Sequence, residues 1–391
     1  MSNQEEVGAI IIGGDYQGLG ILRSLARRNI PICLLDSQFC IGRFSRYRKK
    51  FIKCPNSKDE APFSNFLLDL AIKENLKGWI VYPTNDESVY ILSKHKRKLE
   101  KYYRIPIPSW DIVKFAYDKK LTYELAEKFD INIPKTFYPK NIDELNNLES
   151  RFPVIIKPSI KINFYSKTRV KAIQVNNKKD LIEEFKKTAT IIDSSEIMIQ
   201  ELIPGGPDYL FSFCSLFRNG KGLAKVTARR ARQHPMDFGH ASTYVETMNI
   251  PEIDGIGSKI LQAMNYSGLS EVEFMQDPRD GKYKLLEVNA RTWGWHTLAI
   301  RAGVDFPYLL YQDMLGEKVK NNPFRKNIKW VRLTTDIPTI IMEIFKGKMK
   351  IADYLSSLKG KKEFAVLSIE DPFPFIVELL MFPYLWRKRG F

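Results

Sequence analysis

The chain has 391 residues, 44% of them apolar, and a formal net charge of +16. That length is too great for one ordinary core, so two or three units are expected, and no apolar run reaches the roughly 18 residues that a membrane-spanning helix needs. The charge raises nucleic acid as a partner, but lysine and arginine are spread along the chain without a nucleic-acid motif, and anionic small-molecule ligands explain the surplus more simply.

Residues 8–36 read as strand, glycine turn, helix and strand: GAIIIGG, DYQGLG, ILRSLARRN and IPICLLD, ending in Asp36. This is a βαβ half of a doubly wound sheet. Two readings of the turn compete. Asp36 stands near the distance at which an acidic residue would meet a dinucleotide ribose, as in an NAD(P) oxidoreductase. Yet the glycines fall at 13, 14, 18 and 20, which does not spell G-x-G-x-x-G, so a Rossmann-like domain without nicotinamide is preferred. A helix near 61–76, the strand GWIVYPTND and a helix over about 87–101 follow. The carboxyl edge of such a sheet presents Asp36, Thr84, Asn85, Asp86 and Glu87, where open α/β sheets bind ligands. Asp86 and Glu87 face an incoming amine there, or Asn85 or Asp86 caps the next helix. The basic run RFSRYRKKFIK (43–53) is a solvated face or a contact for an anionic surface or substrate.

Two helices occupy 111–140, and RFPVIIKPS is a buried strand closing on Lys157. A helix over about 177–188, the strand EIMIQELI, two strands within 209–230 joined at Arg218-Asn219-Gly220, and a helix at 251–265 lead to the most informative stretch, Ser267–Trp295. There a strand carrying Glu271 and Glu273 turns through Asp277-Pro278-Arg279-Asp280-Gly281 into a strand carrying Glu287, Asn289 and Arg291. Alternation puts each set on one side of its strand. Glu273, Glu287 and Asn289 then form an oxygen donor set for a hard cation, and Arg291 offers a fork for a carboxylate or phosphate. The run TLAIRAGVDFPYLLYQDMLG reads as a helix pair ending at Gly316.

This succession resembles the ATP-grasp superfamily over roughly residues 105–320, with several motifs in the same order. The resemblance implies a first nucleotide lysine at Lys119, with Lys120 as the alternative, and a second at Lys157. It makes MIQELIPG the adenine hinge, with Gln200, Glu201, Leu202 and Ile203 along it: the Glu201 carbonyl and Ile203 amide would meet the base, and Asp208 the ribose. Glu273, Glu287 and Asn289 would hold Mg²⁺ (or Mn²⁺) at the phosphates, and Arg291 the carboxylate or its acyl phosphate. The family's glycine-rich phosphate loop is missing from KPSIKINFYSKTRVKA. Backbone cradling is therefore doubtful, and Lys161, Lys167 and Arg169 would close over the phosphates as charges, with Phe164 and Tyr165 as a lid. In TARRARQHPMDFGHASTYVET (227–247), Arg229, Arg230 and Arg232 cluster near His234. They bind the acceptor, with Arg229 and Arg232 as principal candidates, or form a basic surface loop, or pair with Glu246.

The expected fold is α/β and α+β: a Rossmann-like pre-ATP-grasp domain over 1–110 and an ATP-grasp domain over 111–325. The latter divides into a small lid (about 111–200) and a larger subdomain (about 201–325), with ATP between them, before an extension over 326–391. The implied activity is an ADP-forming carboxylate–amine (or carboxylate–thiol) ligase working through an acyl phosphate, closest to the branch resembling D-aspartate ligases. Its partners would be a small anionic carboxylate and an amine, with no nucleic acid. The missing glycines leave a non-catalytic ATP binder as the alternative, and an NAD(P) oxidoreductase stands behind it. Four cysteines without a C-x-x-C pair read as reduced thiols, and the N-terminus MSNQEEVGAIIIGG does not read as a signal peptide, so a cytoplasmic protein is expected. The aromatic tail DPFPFIVELLMFPYLWRKRGF (371–391) is a helix docked on the protein, or an interfacial membrane contact with a cationic end.

Overall fold

The computed structural model describes residues 7–148, 151–236, 239, 241–320 and 322–389. The first six residues of the N-terminal stretch and the last two of the tail lie outside them. A four-stranded parallel sheet comes first: β1 (Ala9–Ile12), β2 (Ile32–Asp36), β3 (Lys50–Lys53) and β4 (Ile80–Pro83), in the order β3-β2-β1-β4. Its central strands are unbroken apolar runs, as a sheet covered on both faces requires. The glycine turn serves packing. Gly13 has φ +97°, and a Cβ on Gly18 would lie 1.9 Å from the Gly13 carbonyl oxygen, so the helix Tyr16–Ala26 approaches β1 closely only because residue 18 is glycine. Asp36 is used locally: its carboxylate accepts from the backbone N–H of Gly14 at 2.7 Å and of Gln38 at 2.8 Å. Asn85 caps the helix Asp86–Lys94 by accepting from the Ser88 N–H at 2.8 Å, which leaves the Asp86 side chain available elsewhere.

A small antiparallel sheet follows: β5 (Thr136–Phe137), β6 (Val154–Pro158), β7 (Ile173–Val175) and β8 (Ile197–Glu201), ordered β5-β8-β6-β7. It has its own apolar core, with Val154, Ile156, Phe164, Leu181, Phe185 and Ile199 among its members. The third sheet has seven strands: β9 (Leu210–Arg218), β10 (Lys221–His234), β11 (Ala241–Thr247), β12 (Gly268–Gln276), β13 (Tyr283–Asn289), β14 (Lys329–Val331) and β15 (Lys362–Phe364). Their order is β13-β12-β9-β10-β11-β14-β15. Two larger cores each draw side chains from both this sheet and the parallel one. Ile10 and Val81 join Phe213 and Val272 in one, and Ile11 and Leu34 join Val226 and Trp330 in the other. The parallel sheet is thereby packed against the large sheet, with its carboxyl edge facing the hairpin β12–β13.

The C-terminal region completes the large sheet. β14 runs antiparallel to β11, and β15 parallel to β14. Beyond it, Asp371, fully buried, accepts from the Arg23 guanidinium at 2.9 Å, the Ser45 hydroxyl at 2.7 Å and the Arg46 N–H at 2.9 Å. This ties the start of the tail to the N-terminal domain. The tail then forms the helices Phe373–Leu380 and Phe382–Arg389, and buried Glu378 receives Arg332 at 2.7 Å. No described helix is long and apolar enough to cross a membrane.

Replacing Asp371 by alanine would leave the Arg23 charge buried and uncompensated. We expect a loss of about 3–5 kcal/mol, the usual consequence of removing one partner of a buried pair, read as a lower urea midpoint at unchanged m-value. A near-wild-type midpoint would show that the tail is not anchored there.

Candidate functional site

The site is built on the register of the hairpin β12–β13. Glu273 stands directly opposite Glu287, and Glu271 opposite Asn289. Like charges opposite one another in a ladder repel, and here the surroundings answer with cations. Arg230 of β10 ion-pairs with Glu273. Lys119, at the start of the helix Lys119–Lys128, meets Glu287 at 2.8 Å. Asn289 donates its amide to Glu273 at 3.0 Å and, at 3.4 Å, to Glu271. Arg291 donates through Nη2 to the Asn289 oxygen at 3.1 Å and through Nε to Asp86 at 2.6 Å. Asp86 also faces Lys161 at 3.5 Å.

The charges are correspondingly displaced from their ordinary values. Burial opposes ionisation of Glu287, but Lys119 first, then Lys161 and Lys171, hold its carboxyl well below the usual carboxylate range. Glu271, which accepts from the Ser212 hydroxyl at 2.9 Å, is lifted to about 7 by burial and then by the charge of Glu273. Lys171 donates to the Gly239 carbonyl at 2.7 Å. Burial, then repulsion by Lys161, lowers it to about 7. An anionic ligand relieves that repulsion.

These groups line a cavity of about 470 Å³, within the range of small-molecule sites. Its lining includes the apolar side chains of Ile155, Leu202, Ile203, Leu210, Met275 and Leu286. A bulge between Glu273 and Phe274 sets Leu286 out of the simple alternation, which lets it line the cavity next to Glu287. The same lining carries Lys119, Lys157, Lys161 and Lys171, Arg230 and Arg291, and the aromatic residues Tyr16, Trp295 and Trp330. A second cavity of about 370 Å³ adjoins it and shares Lys119, Lys161, Glu287 and Arg291; Asp86, Glu87, Tyr117 and Arg169 extend it along the edge of the parallel sheet. Apolar side chains, four lysines and paired carboxylates lining one cavity suit a nucleoside polyphosphate with a hard cation. Glu273, Glu287 and Asn289 fit that ion by donor type, with Arg230 and Lys119 supplying positive charge to the same oxygens.

Residues 195–336 match the family model described as ATP-grasp in the biosynthetic pathway with Ter operon. The chain is 23% identical over 336 residues to a D-aspartate ligase of Enterococcus faecium (strain Aus0004), covering 82% of this chain and 78% of that protein. The fold is similar to N5-carboxyaminoimidazole synthetase from Staphylococcus aureus complexed with ADP, at TM-score 0.65 and 18% identity, covering 87% and 86% of the two chains. It is also similar to an L-amino acid ligase from Bacillus licheniformis, at TM-score 0.60 and 16% identity, covering 79% and 74%. Over residues 195–336 the chain is thus similar to an ATP-grasp family model, and its fold is similar to the two solved ligase and synthetase structures. Its structure is mixed α/β, as the motif order implied.

Among the expected site residues, Lys119, Lys157, Gln200, Glu201, Leu202, Ile203, Glu273, Glu287, Asn289 and Arg291 line the one cavity. Lys157 is steadied by the Tyr123 hydroxyl at 3.1 Å. The Glu201 side chain turns to Lys284 and Arg279, at 2.9 and 2.8 Å, and so latches the hinge strand to the hairpin turn. Four expectations need correction. Lys167 is outside the cavity and donates to the Ile191 carbonyl at 2.7 Å, because KINFYSKT forms the helix Lys161–Thr168 and carries it to the far side. Phe164 of the same helix is core, not lid. Asp208 is largely exposed in a short turn, 3.9 Å from Arg229. Arg229 and Arg232 are also absent from the lining: Arg229 pairs with Glu246, and Arg232 with Asp336 at 2.8 Å under the Tyr244 ring.

The arginine exchange has a clear cause. Strict alternation would put residues 230 and 232 on one side, but the β10–β11 register slips between Arg229 and Arg232 and again between Arg232 and Gln233. Arg230 is thereby the member that reaches the cavity. His234 is buried against Thr339 at 2.8 Å. Burial lowers it to about 4. Asp237, Phe238 and His240 of this stretch lie outside the described residues. Missed from the sequence were Glu271 as a cavity carboxylate, Lys171, and the aromatic group Tyr16, Trp295 and Trp330. Only Glu271 had a signal, its even spacing from Glu273.

We expect Arg232→Met to cost about 3–5 kcal/mol by stranding Asp336 while the thermal shift produced by ATP persists; loss of that shift would return Arg232 to the site. For Lys171 the sign follows from its lowered value. A polyphosphate favours the charged amine, so ATP affinity should fall as pH rises from about 7.5 to 9, above the range near 6 in which terminal phosphates titrate. Lys171→Met should bind more weakly and flatten that slope in calorimetric titrations; an unchanged slope would remove Lys171 from the phosphate site.

Proposed function

We propose that the protein is an ATP-dependent, ADP-forming ligase that joins a small anionic carboxylate to an amine. The single observation that carries this reading is the set Glu273, Glu287 and Asn289, bracketed by Arg230, Lys119 and Arg291 within one cavity. ATP would sit between the small subdomain of about 111–200 and the larger one of about 201–325, with the base at Gln200–Ile203 and Lys157 and Lys171 on the phosphates. Mg²⁺, or Mn²⁺ in its place, held by Glu273, Glu287 and Asn289 would offset charge on the transferring phosphoryl group.

The acceptor carboxylate is oriented by Arg230 and Arg291. Its oxygen attacks the γ-phosphorus, the bond to the β-phosphate oxygen breaks, and ADP leaves. The amine then attacks the acyl carbon of the mixed anhydride. It loses a proton, and inorganic phosphate departs as the amide forms. These side chains position and neutralise, and no nucleophilic residue is needed. The similarity to a D-aspartate ligase supports an amino acid as one of the two substrates. A nucleotide binder without turnover is the second reading. The helix Lys161–Thr168, standing where a glycine loop would cradle phosphate with backbone N–H groups, favours it.

Incubation with ATP, Mg²⁺ and paired libraries of amino acids and carboxylates, read as released ADP, tests the proposal. Release dependent on both partners is the expected result; none with any pair leaves the binder. With a productive pair, Glu287→Gln should abolish ADP formation while the far-UV circular dichroism of the folded protein is kept, and wild-type turnover would overturn the metal assignment. ATP with Mg²⁺ should raise the melting temperature, by about 2.7 kcal/mol of stabilisation at a hundredfold excess over Kd. A larger shift with NADH or NADPH would favour a dinucleotide at the glycine turn.

A further inference from the structure

The C-terminal extension keeps an uncovered apolar surface. Of the fifteen large apolar side chains exposed among the described residues, twelve lie between Ile337 and Tyr384. The pattern is helical and one-sided. On the helix Phe373–Leu380, Pro374 and Glu378 are buried, while Phe373, Ile376 and Leu380 are 61%, 47% and 77% exposed. On the helix Leu333–Phe345, Ile337, Ile341 and Phe345 recur every four residues on the outer side, Phe345 at 87% exposure. The buried Arg332–Glu378 pair fastens the two helices to each other. Isolated exposed apolar residues need no explanation, but a concentration of this kind marks an interaction surface.

Charge says what covers it. The exposed cations of the same stretch are Lys346, Lys348, Lys350, Lys359, Lys361 and Arg387; the exposed anions are Asp353 and Glu370. Glu370 is already tied to Arg27 at 2.8 Å, and among the described residues Lys346 is the one of these cations with an ion-pair partner, Glu343. Two copies meeting through this surface about a two-fold axis would set cations against cations. A phosphate-bearing lipid surface accepts both the exposed apolar side chains and the exposed lysines that alternate with them along residues 337–384. The helices are too short to cross it.

We propose that residues 337–389 dock the protein on an anionic lipid bilayer, with Phe373, Ile376 and Leu380 entering the acyl boundary and the lysines at the headgroups. This stands apart from the ligase reading and does not depend on it. The test is sedimentation of the full-length protein with vesicles of phosphatidylcholine alone or mixed with phosphatidylglycerol. The protein should pellet with the mixed vesicles at low salt, much less with phosphatidylcholine, and be released as salt screens the headgroups. The triple variant F373S/I376S/L380S should reduce partitioning at least about tenfold, given what each large apolar side chain gains on leaving water. Its melting temperature should not fall, since the replaced groups already face solvent. The variant K348E/K350E/K361E should lose the preference for phosphatidylglycerol. Wild-type protein that stays in the supernatant, or a triple variant that binds as well, would overturn the proposal. So would a dimer seen by sedimentation velocity that the triple variant dissolves without any vesicle binding, which would assign the face to a second copy.

Discussion

Two carboxylates held opposite each other on neighbouring strands govern the architecture around them. Glu273 and Glu287 cannot share a half-buried ladder position unless positive charge is brought to both. Each of three regions contributes. The helix after residue 118 sends Lys119, β10 sends Arg230, and the strand end after Asn289 sends Arg291. A ligand that arrives with its own cation adds to a site already organised for such charges, so little rearrangement of dipoles is needed at the moment of reaction.

The same pair explains why the N-terminal domain belongs to the site. Its sheet edge holds no ligand-binding glycine motif, but Asp86 reaches across to Arg291 and faces Lys161. Arg291, a permanent cation lining the cavity, is thus aimed by a group more than two hundred positions away in sequence. A second latch, Glu201 to Lys284 and Arg279, joins the hinge strand to the hairpin turn. Movement of the small sheet relative to the hairpin must therefore break or carry ion pairs made by Glu201, which lines the cavity.

Much of this was legible where local pattern decides geometry. The βαβ start, the closing strand at Lys157 and the hairpin are set by apolar runs, turn residues and period-two alternation, and they placed Glu273, Glu287, Asn289 and Arg291 together. Reading failed where register or a helix intervened. Slips in β10–β11 turn Arg230 rather than Arg232 toward the cavity, and nothing in RRARQ announces them. The segment after Lys157 contains no glycine, which argued against backbone cradling of phosphate but did not reveal a helix that sends Lys167 outward. Lys171 and the aromatic group of Tyr16, Trp295 and Trp330 depend on contacts between distant segments, and spacing carries no trace of such contacts.

The substitution of a helix for a glycine loop changes how phosphate would be held. Backbone N–H groups in a loop form a fixed cradle, so their donors are in place before the ligand arrives. Here the positive charge comes from Lys157, Lys161 and Lys171, long side chains whose rotamers must be ordered when a ligand binds. Two features reduce that cost. Lys157 already rests on the Tyr123 hydroxyl, and Lys171 on the Gly239 carbonyl. Lys161 is held only loosely, by Asp86, which it shares with Arg291. Drawing Lys161 onto a phosphate would leave Asp86 to Arg291 alone and tighten that pair. In the proposed ligase, nucleotide binding would then stiffen Arg291, the arginine proposed to orient the carboxylate, and so couple the two substrates through one shared aspartate.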